Sequence, residues 1–410
     1  GVRRSALISL SNLNDDQMAH AKSGQWWTNE GQRALANNSV AYKGKPEMGT
    51  FMREWLSLYD SKSGERGIFN RQAAQKQAAK NGRRDVEHDF GCNPCSEIIL
   101  RPYQFCNLSE VVVRATDTQQ TLTEKVRLAT ILGTFQSTLT NFKYLRKIWR
   151  RNTEEERLLG VSLTGIMDNA MMSGKSAHLG MNIGATLNAL RIQAVTTNAA
   201  MASELNIPIS TAITCVKPSG TVSQLVNSAS GIHARHNPYY IRTVRGDNKD
   251  PLTQFLVNVG IPAEPDVMKP DSTTVFSFPM KSPAGAVTRF DMSAIEQLEL
   301  WLIYQRHWCE HKPSVTISVK EHEWMDVGAW VYEHFDEVSG ISFLPFSEHT
   351  YQQAPYQDCT VEQYGEMLKR MPVSIDWSKL QEFEKEDTTT GGREFACTAD
   401  ACEVVDLNAA

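Results

Sequence analysis

Asn93-Pro94-Cys95-Ser96-Glu97, with Cys106 eleven residues beyond Cys95, decides how the rest of this chain is read. The stretch sets a thiol between an amide and a carboxylate. In an extended or loop-tip segment alternate side chains point the same way, so the i, i+2, i+4 spacing turns all three groups to one side. A single polar substrate can then meet them together. The carboxylate moves a proton, the amide donates a hydrogen bond, and the second thiol supplies electrons. A cysteine that only packs in a core needs none of these neighbours.

The 410 residues are too many for one small core and imply two to three domains or one large α/β domain. A hydrophobic content of 41% with 22% charged residues is an ordinary globular mixture. The net charge of -5 carries no nucleic-acid footprint. No apolar run is long enough for a membrane span. Gly1-Val2-Arg3-Arg4-Ser5 holds neither an initiator Met nor a signal sequence, and the expectation is a fragment whose N-terminal part is missing.

The eight cysteines are Cys92, Cys95, Cys106, Cys215, Cys309, Cys359, Cys397 and Cys402. In a large chain without a signal they imply catalytic or metal roles rather than a disulfide framework. Cys92-Asn93-Pro94-Cys95 is open between a redox pair and half a zinc site. Cys309 and His311 are the available second pair for zinc, but Cys-x-His is not a usual structural spacing, and no metal is assigned. Cys397 and Cys402 follow a polar stretch, 381–396, that contains Thr388-Thr389-Thr390-Gly391-Gly392 and reads as a tether. A dithiol on a tether can reach a buried disulfide and exchange with it.

Helical periodicity covers 49–59, 123–143, 153–173, 183–205, 291–308 and 323–338. Thr153 before three glutamates reads as an N-cap with acids in the first turn. Strand signals fall at 109–114, 210–216, 274–278 and 314–319. The alternation predicts an α/β fold with a substantial parallel sheet. Lys217-Pro218-Ser219-Gly220-Thr221-Val222-Ser223 closes a strand and opens a helix, where hydroxyls and free amides suit an anion; the P-loop pattern is absent. Arg3 and Arg4 offer guanidinium forks. Gly231-Ile232-His233-Ala234-Arg235-His236 reads as a polar turn with satisfied histidines.

Together these segments resemble ribonucleotide reductase of the adenosylcobalamin-dependent class, over essentially the whole chain. The resemblance implies a ten-stranded α/β barrel within 1–380, with its finger loop near 91–100, and a flexible tail at 381–410. It implies a thiyl radical on Cys95, flanked at the ribose by Asn93 and Glu97, and a reducing role for Cys106. The cysteine that pairs with Cys106 would lie upstream of Gly1. Pro218, Ser219, Gly220, Thr221, Val222 and Ser223 match the loop that holds substrate phosphates. Asn37, Asn38 and Ser39 match a stretch near the substrate. Arg3 and Arg4 match a loop that couples a deoxynucleotide effector to substrate choice. Cys397 and Cys402 match a tail dithiol recharged by a thioredoxin-like protein. The implied enzyme is cytoplasmic and reduces ribonucleotides, triphosphates by the closest resemblance. Classes that borrow a radical from a second subunit carry adjacent tyrosines before the tail, and 371–396 has none. The glycyl-radical class needs four tail cysteines. A large subunit with a separate radical generator stays the alternative, as does a non-catalytic nucleotide- or zinc-binding module.

Overall fold

The computed structural model describes residues 7–175, 182–346 and 352–384. Arg3, Arg4, Cys397 and Cys402 lie outside the described residues. The described residues divide into two compact units, 7–175 with 182–235 and 285–346, and 236–284 with 352–384.

The strands in chain order are β1 (Leu7–Ser11), β2 (Ala36–Tyr42), β3 (Gly67–Asn70), β4 (Gly91–Cys92), β5 (Ile99–Leu100), β6 (Asn107–Val112), β7 (Leu159–Thr164) and β8 (Thr214–Cys215). They continue with β9 (Tyr239–Asp247), β10 (Ala263–Pro265), β11 (Thr273–Lys281), β12 (Val315–Val319), β13 (Ile341–Pro345) and β14 (Tyr356–Asp358). In the larger unit β1, β2 and β3 are parallel, β3 meets β13 antiparallel, and β13 is parallel to β12. A second parallel sheet runs β6-β7-β8. One parallel bridge, Val216 to Pro313, joins the end of β8 to the approach of β12. Eight strands thus form a single row, β1-β2-β3-β13-β12-β8-β7-β6, in two parallel blocks of opposite direction. The row does not close by itself: β1 and β6 each keep an unpaired edge among the described residues. The α/β class with parallel sheets is as the sequence predicts.

The helix Gln119–Gln136 covers β6 and β7, and the helix Ile183–Glu204 packs against it. Thr118 and Thr121 cap the first of them reciprocally. The helix Ala294–His307, which packs against Ile183–Glu204 and β12, together with its cap residue Trp308 brings three large rings to the core. Trp301 Nε1 donates to Pro313 O at 2.8 Å, Trp308 Nε1 to Cys215 O at 2.7 Å, and Tyr304 Oη to Met172 O at 2.8 Å. Each buried polar tip thereby keeps a partner.

The helix expected over 153–173 is not there. A helix runs Lys147–Glu156, Arg157 turns left-handed at φ 47°, and β7 follows. All six residues of β7 are buried, so the strand has no polar alternation and its apolar run imitates a helix. Thr153 is no cap; it is buried in the last turn of that helix, whose N-cap is Arg146. Acids at a helix C-terminus oppose the dipole. Here they are held by cations: Glu156 by Arg84 at 3.0 Å, Glu154 by Arg150 at 2.9 Å, and Glu155 by Arg101. The helix expected to 143 stops at Gln136, and the strand expected over 210–216 contracts to β8.

The smaller unit is an antiparallel sheet, β10-β11-β9-β14, with β9 and β11 paired over nine residues. The strand predicted at 274–278 belongs to this sheet, and Tyr239 and Tyr240 pair within it as strand residues.

Candidate active site

The β4–β5 hairpin of the larger unit carries the loop 93–98. Asn93 closes it twice: its backbone oxygen accepts from Ser96 N at 2.8 Å, and its Oδ1 accepts from Ile98 N at 2.9 Å. The carboxamide Nδ2 stays as the group able to donate to a substrate. Ser96 turns left-handed at φ 65°. Gly340, itself at φ 79°, makes the room for this turn, since a Cβ there would lie 3.0 Å from Ser96 O.

Glu97 is completely buried. Its Oε1 lies 3.4 Å from Lys217 Nζ, and its Oε2 has no partner among the described residues. Cys95, two residues earlier on the loop, is only partly buried. Beneath the loop sits Lys312, also fully buried. Its backbone N–H donates to Glu97 O at 3.0 Å, and its Nζ donates to Ser96 Oγ and Ser339 Oγ, each at 3.2 Å. The ammonium lies 4.4 Å from the centre of the Phe69 ring. Burial pulls Lys312 down to about 8. Ser96 Oγ donates in turn to Cys92 Sγ at 3.4 Å, and burial raises that thiol while Lys312 opposes the rise.

Cys106 immediately precedes β6. Burial pushes its thiol well above the ordinary range, the charge of Glu97 adds to the push, and Lys217 and Arg84 oppose it. The thiol therefore holds its proton at neutral pH. Gly160 of β7 leaves the space: a Cβ there would stand 3.2 Å from Cys106 Sγ and 2.4 Å from Leu108 Cδ2.

The segment after β8 starts with Lys217, whose N–H donates to Ser162 Oγ at 2.8 Å. Ser219 is left-handed at φ 61°, and its hydroxyl donates to Glu110 Oε2 at 2.8 Å. The short helix Gly220–Leu225 follows, as expected. Ser223 Oγ donates to Gly220 O at 2.6 Å, while Thr221 and Val222 are exposed. Behind the loop, Arg235 and Asp168 form a buried two-point ion pair at 2.7 and 2.8 Å, and Asp168 Oδ2 also accepts from Ala229 N at 2.9 Å. His233 Nε2 accepts from Thr316 N at 3.0 Å, the satisfied histidine of the sequence reading.

On β2 the three neighbours part company. Asn37 Nδ2 donates to Pro94 O at 2.6 Å, beside Cys95. Asn38 is buried and committed elsewhere, donating to Met18 O at 2.7 Å and accepting from Ser11 Oγ at 3.4 Å. Ser39 Oγ lies against Gly67, where a Cβ would approach to 2.8 Å. His311, weighed as a zinc ligand, has both ring nitrogens engaged: Nδ1 accepts from Ile99 N at 3.3 Å and Nε2 donates to Leu159 O at 2.9 Å. Burial, then Arg84, hold it well below the usual range, so it is a neutral brace between the hairpin and β7.

Asn93, Glu97, Cys106, Lys217 and Asn37 are thus brought to one hairpin and its surroundings. Glu110, Lys312 and Gly160 join them without having been singled out in the sequence. No local signal marks Lys312, which stands in the polar run Glu310-His311-Lys312.

No protein-family model matches the chain. An adenosylcobalamin-dependent ribonucleoside-triphosphate reductase of Euglena gracilis is 28% identical over 341 residues, 82% of this chain and 45% of that protein. One from Lacticaseibacillus paracasei is 27% identical over 402 residues, 91% of this chain and 52% of that protein. The chain spans about half the length of the curated relatives it matches. A crystal structure of a B-12 dependent (class II) ribonucleotide reductase superposes with a TM-score of 0.73 at 22% identity, over 93% of this chain and 56% of that one. A class Id ribonucleotide reductase alpha subunit from Actinobacillus ureae superposes with 0.53 at 12% identity, over 83% of this chain and 70% of that one. The α/β fold is therefore that of the class II reductase.

Proposed function

We propose that this chain, a homologue of adenosylcobalamin-dependent ribonucleoside-triphosphate reductases, carries the radical and proton-transfer groups of such an enzyme and acts in reducing ribonucleotides to 2′-deoxyribonucleotides. The observation that carries it is the bare Oε2 of a buried Glu97, two residues from a partly accessible Cys95.

Cys95 fits a radical generator that approaches from outside, because its loop tip is not sealed in the core. Adenosylcobalamin, when bound, supplies the radical that converts the Cys95 thiol to a thiyl. The thiyl takes the 3′ hydrogen atom of the ribose. Glu97 Oε2 accepts the 3′-hydroxyl proton at hydrogen-bond reach, and Asn93 Nδ2 steadies the ribose. Cys106 and a partner thiol give two protons and two electrons. The 2′-hydroxyl leaves as water and the two thiols become a disulfide. Cys95 then returns the hydrogen atom, and Glu97 returns the proton to the 3′ oxygen. Burial keeps Cys106 protonated for this donation. Cys397 and Cys402 re-reduce the disulfide by exchange and are recharged by a thioredoxin-like protein. Thr221 and the amides of 219–223 receive the phosphates, with Ser219 and Ser223 turning from their present partners, and Asn37 braces the loop through Pro94. Arg3 and Arg4 serve effector coupling, and the whole barrel closes with strands beyond those described.

The test is anaerobic incubation of the full-length protein with adenosylcobalamin, a ribonucleoside triphosphate and dithiothreitol. Deoxynucleotide that disappears with Cys95→Ala is expected. No product with cobalamin, but product with an added radical-generating subunit, moves the chain to the two-subunit class. No product in either case overturns the enzyme reading.

A further inference from the structure

Glu97 has no exposed surface, and a carboxylate taken out of water needs a counter-charge close by. Two lysines flank it. Lys312 reaches the backbone of Glu97 but turns its ammonium to Ser96 and Ser339. Lys217 makes the ion pair, Nζ to Oε1 at 3.4 Å.

Lys217 stands next to Pro218, at the head of the segment assigned to phosphates. A grip on phosphate is the ordinary expectation for a lysine there. Its surroundings point the other way. Burial opposes its charge, yet Glu97, then Cys95 and Cys215, more than compensate and hold the ammonium above its usual range. Its backbone is fixed by Ser162 Oγ on one side. On the other, Gly231 packs so closely that a Cβ would lie 2.4 Å from Lys217 O. Ser219, the next polar side chain, turns away to Glu110. The lysine is built into the thiol and carboxylate side of the site.

We propose that Lys217 is a positioning residue for Glu97, holding the buried carboxylate through Oε1 so that Oε2 is ready for the substrate hydroxyl before substrate arrives. The proposal rests on the proton-acceptor role given to Glu97 above. Among the described residues, the charged and titratable groups that face Glu97 include Lys217 from the end of β8, Lys312 from the approach to β12, Cys106 before β6, Cys215 on β8, and Cys92 on its own hairpin.

The experiment uses the full-length protein with adenosylcobalamin, a ribonucleoside triphosphate and dithiothreitol. Lys217→Met, Lys217→Arg, Glu97→Gln and the double variant Lys217→Met/Glu97→Gln are compared. Removing a positioned base costs on the order of 10² to 10⁴ in rate. Lys217→Met is expected to lower kcat about 100-fold with KM within about threefold. The acid limb of its kcat profile moves to higher pH, and Lys217→Arg recovers most of the rate. On the Glu97→Gln background Lys217→Met adds no further loss. A KM raised tenfold with kcat kept, or a full additional loss in the double variant, overturns the proposal. If Glu97→Gln is itself fully active, the proton-acceptor role fails, and infrared spectroscopy decides the pairing separately. A protonated-carboxyl band at neutral pH in Lys217→Met, absent from the double variant, upholds it; no such band overturns it. Should Lys217→Met not fold, Lys217→Gln replaces it in every comparison.

Discussion

Lys312 Nζ lies 3.2 Å from Ser96 Oγ while the same residue's backbone N–H holds Glu97 O at 3.0 Å, so one buried lysine grips the hairpin at both residues that follow Cys95. Its folded-state value of about 8 lies below that of an unfolded lysine, near 10.4. The unfolded chain therefore binds the extra proton between those limits, and stability attributable to Lys312 rises with pH across that window. The thiols that titrate nearby are common to wild type and variant. Relative to Lys312→Met, the wild type should gain roughly 2 kcal/mol between pH 7.5 and 9.5. Urea unfolding at the two pH values measures it; a constant difference would refute it.

Glu97 and Cys106 are coupled through charge. The carboxylate helps to raise the thiol, so Glu97→Gln should release part of that rise and increase the thiolate fraction. In reduced protein at pH 9, alkylation of Cys106 by iodoacetamide should quicken several-fold in the variant, read by peptide mass spectrometry. An unchanged rate would mean that burial alone governs the thiol.

Gly160 has no space for a side chain between Leu108 Cδ2 and Cys106 Sγ. Gly160→Ala should cost about 1–3 kcal/mol through overpacking of β7. It should also shift Cys106, lowering kcat with KM little changed. Thermal unfolding and steady-state kinetics on the same preparation check both halves.

The Asp168–Arg235 pair ties the residues after β7 to the segment behind the proposed phosphate loop. Asp168→Asn leaves a buried guanidinium short of its counter-charge and should destabilise by about 3–5 kcal/mol. Replacing both by apolar residues of similar size should be milder, because no buried charge is then left alone. Denaturant midpoints of the three proteins test the ordering.

The sequence made the hairpin motif, the α/β alternation and the strand-to-helix segment at 217–223 legible, because each depends on local spacing. The helix Met48–Ser61 and strand β12 are amphipathic or alternating, and both stand where periodicity put them. β7 was lost because a strand buried on both faces carries no alternation. Thr153 misled because the residues that make acids tolerable at a helix end, Arg84 and Arg101, lie far away in sequence. Asn37 and Asn38 could not be separated from a motif alone, since adjacent strand residues face opposite ways and only the fold decides which meets Pro94. The pairing of Lys217 with Glu97 spans 120 residues, and nothing local announces it.

The tail is tested through its chemistry. Cys397→Ser should spare turnover driven by a small dithiol and stop turnover driven by thioredoxin. Equal loss with both reductants would give Cys397 a direct role at the substrate and remove the shuttle.

The radical role of Cys95 is tested most directly by exchange of the cofactor's 5′ hydrogens with solvent, measured by tritium release from labelled adenosylcobalamin. The account predicts release with wild type, release retained in Cys106→Ser, which acts only after hydrogen abstraction, and none in Cys95→Ser. Release that survives in Cys95→Ser would contradict it.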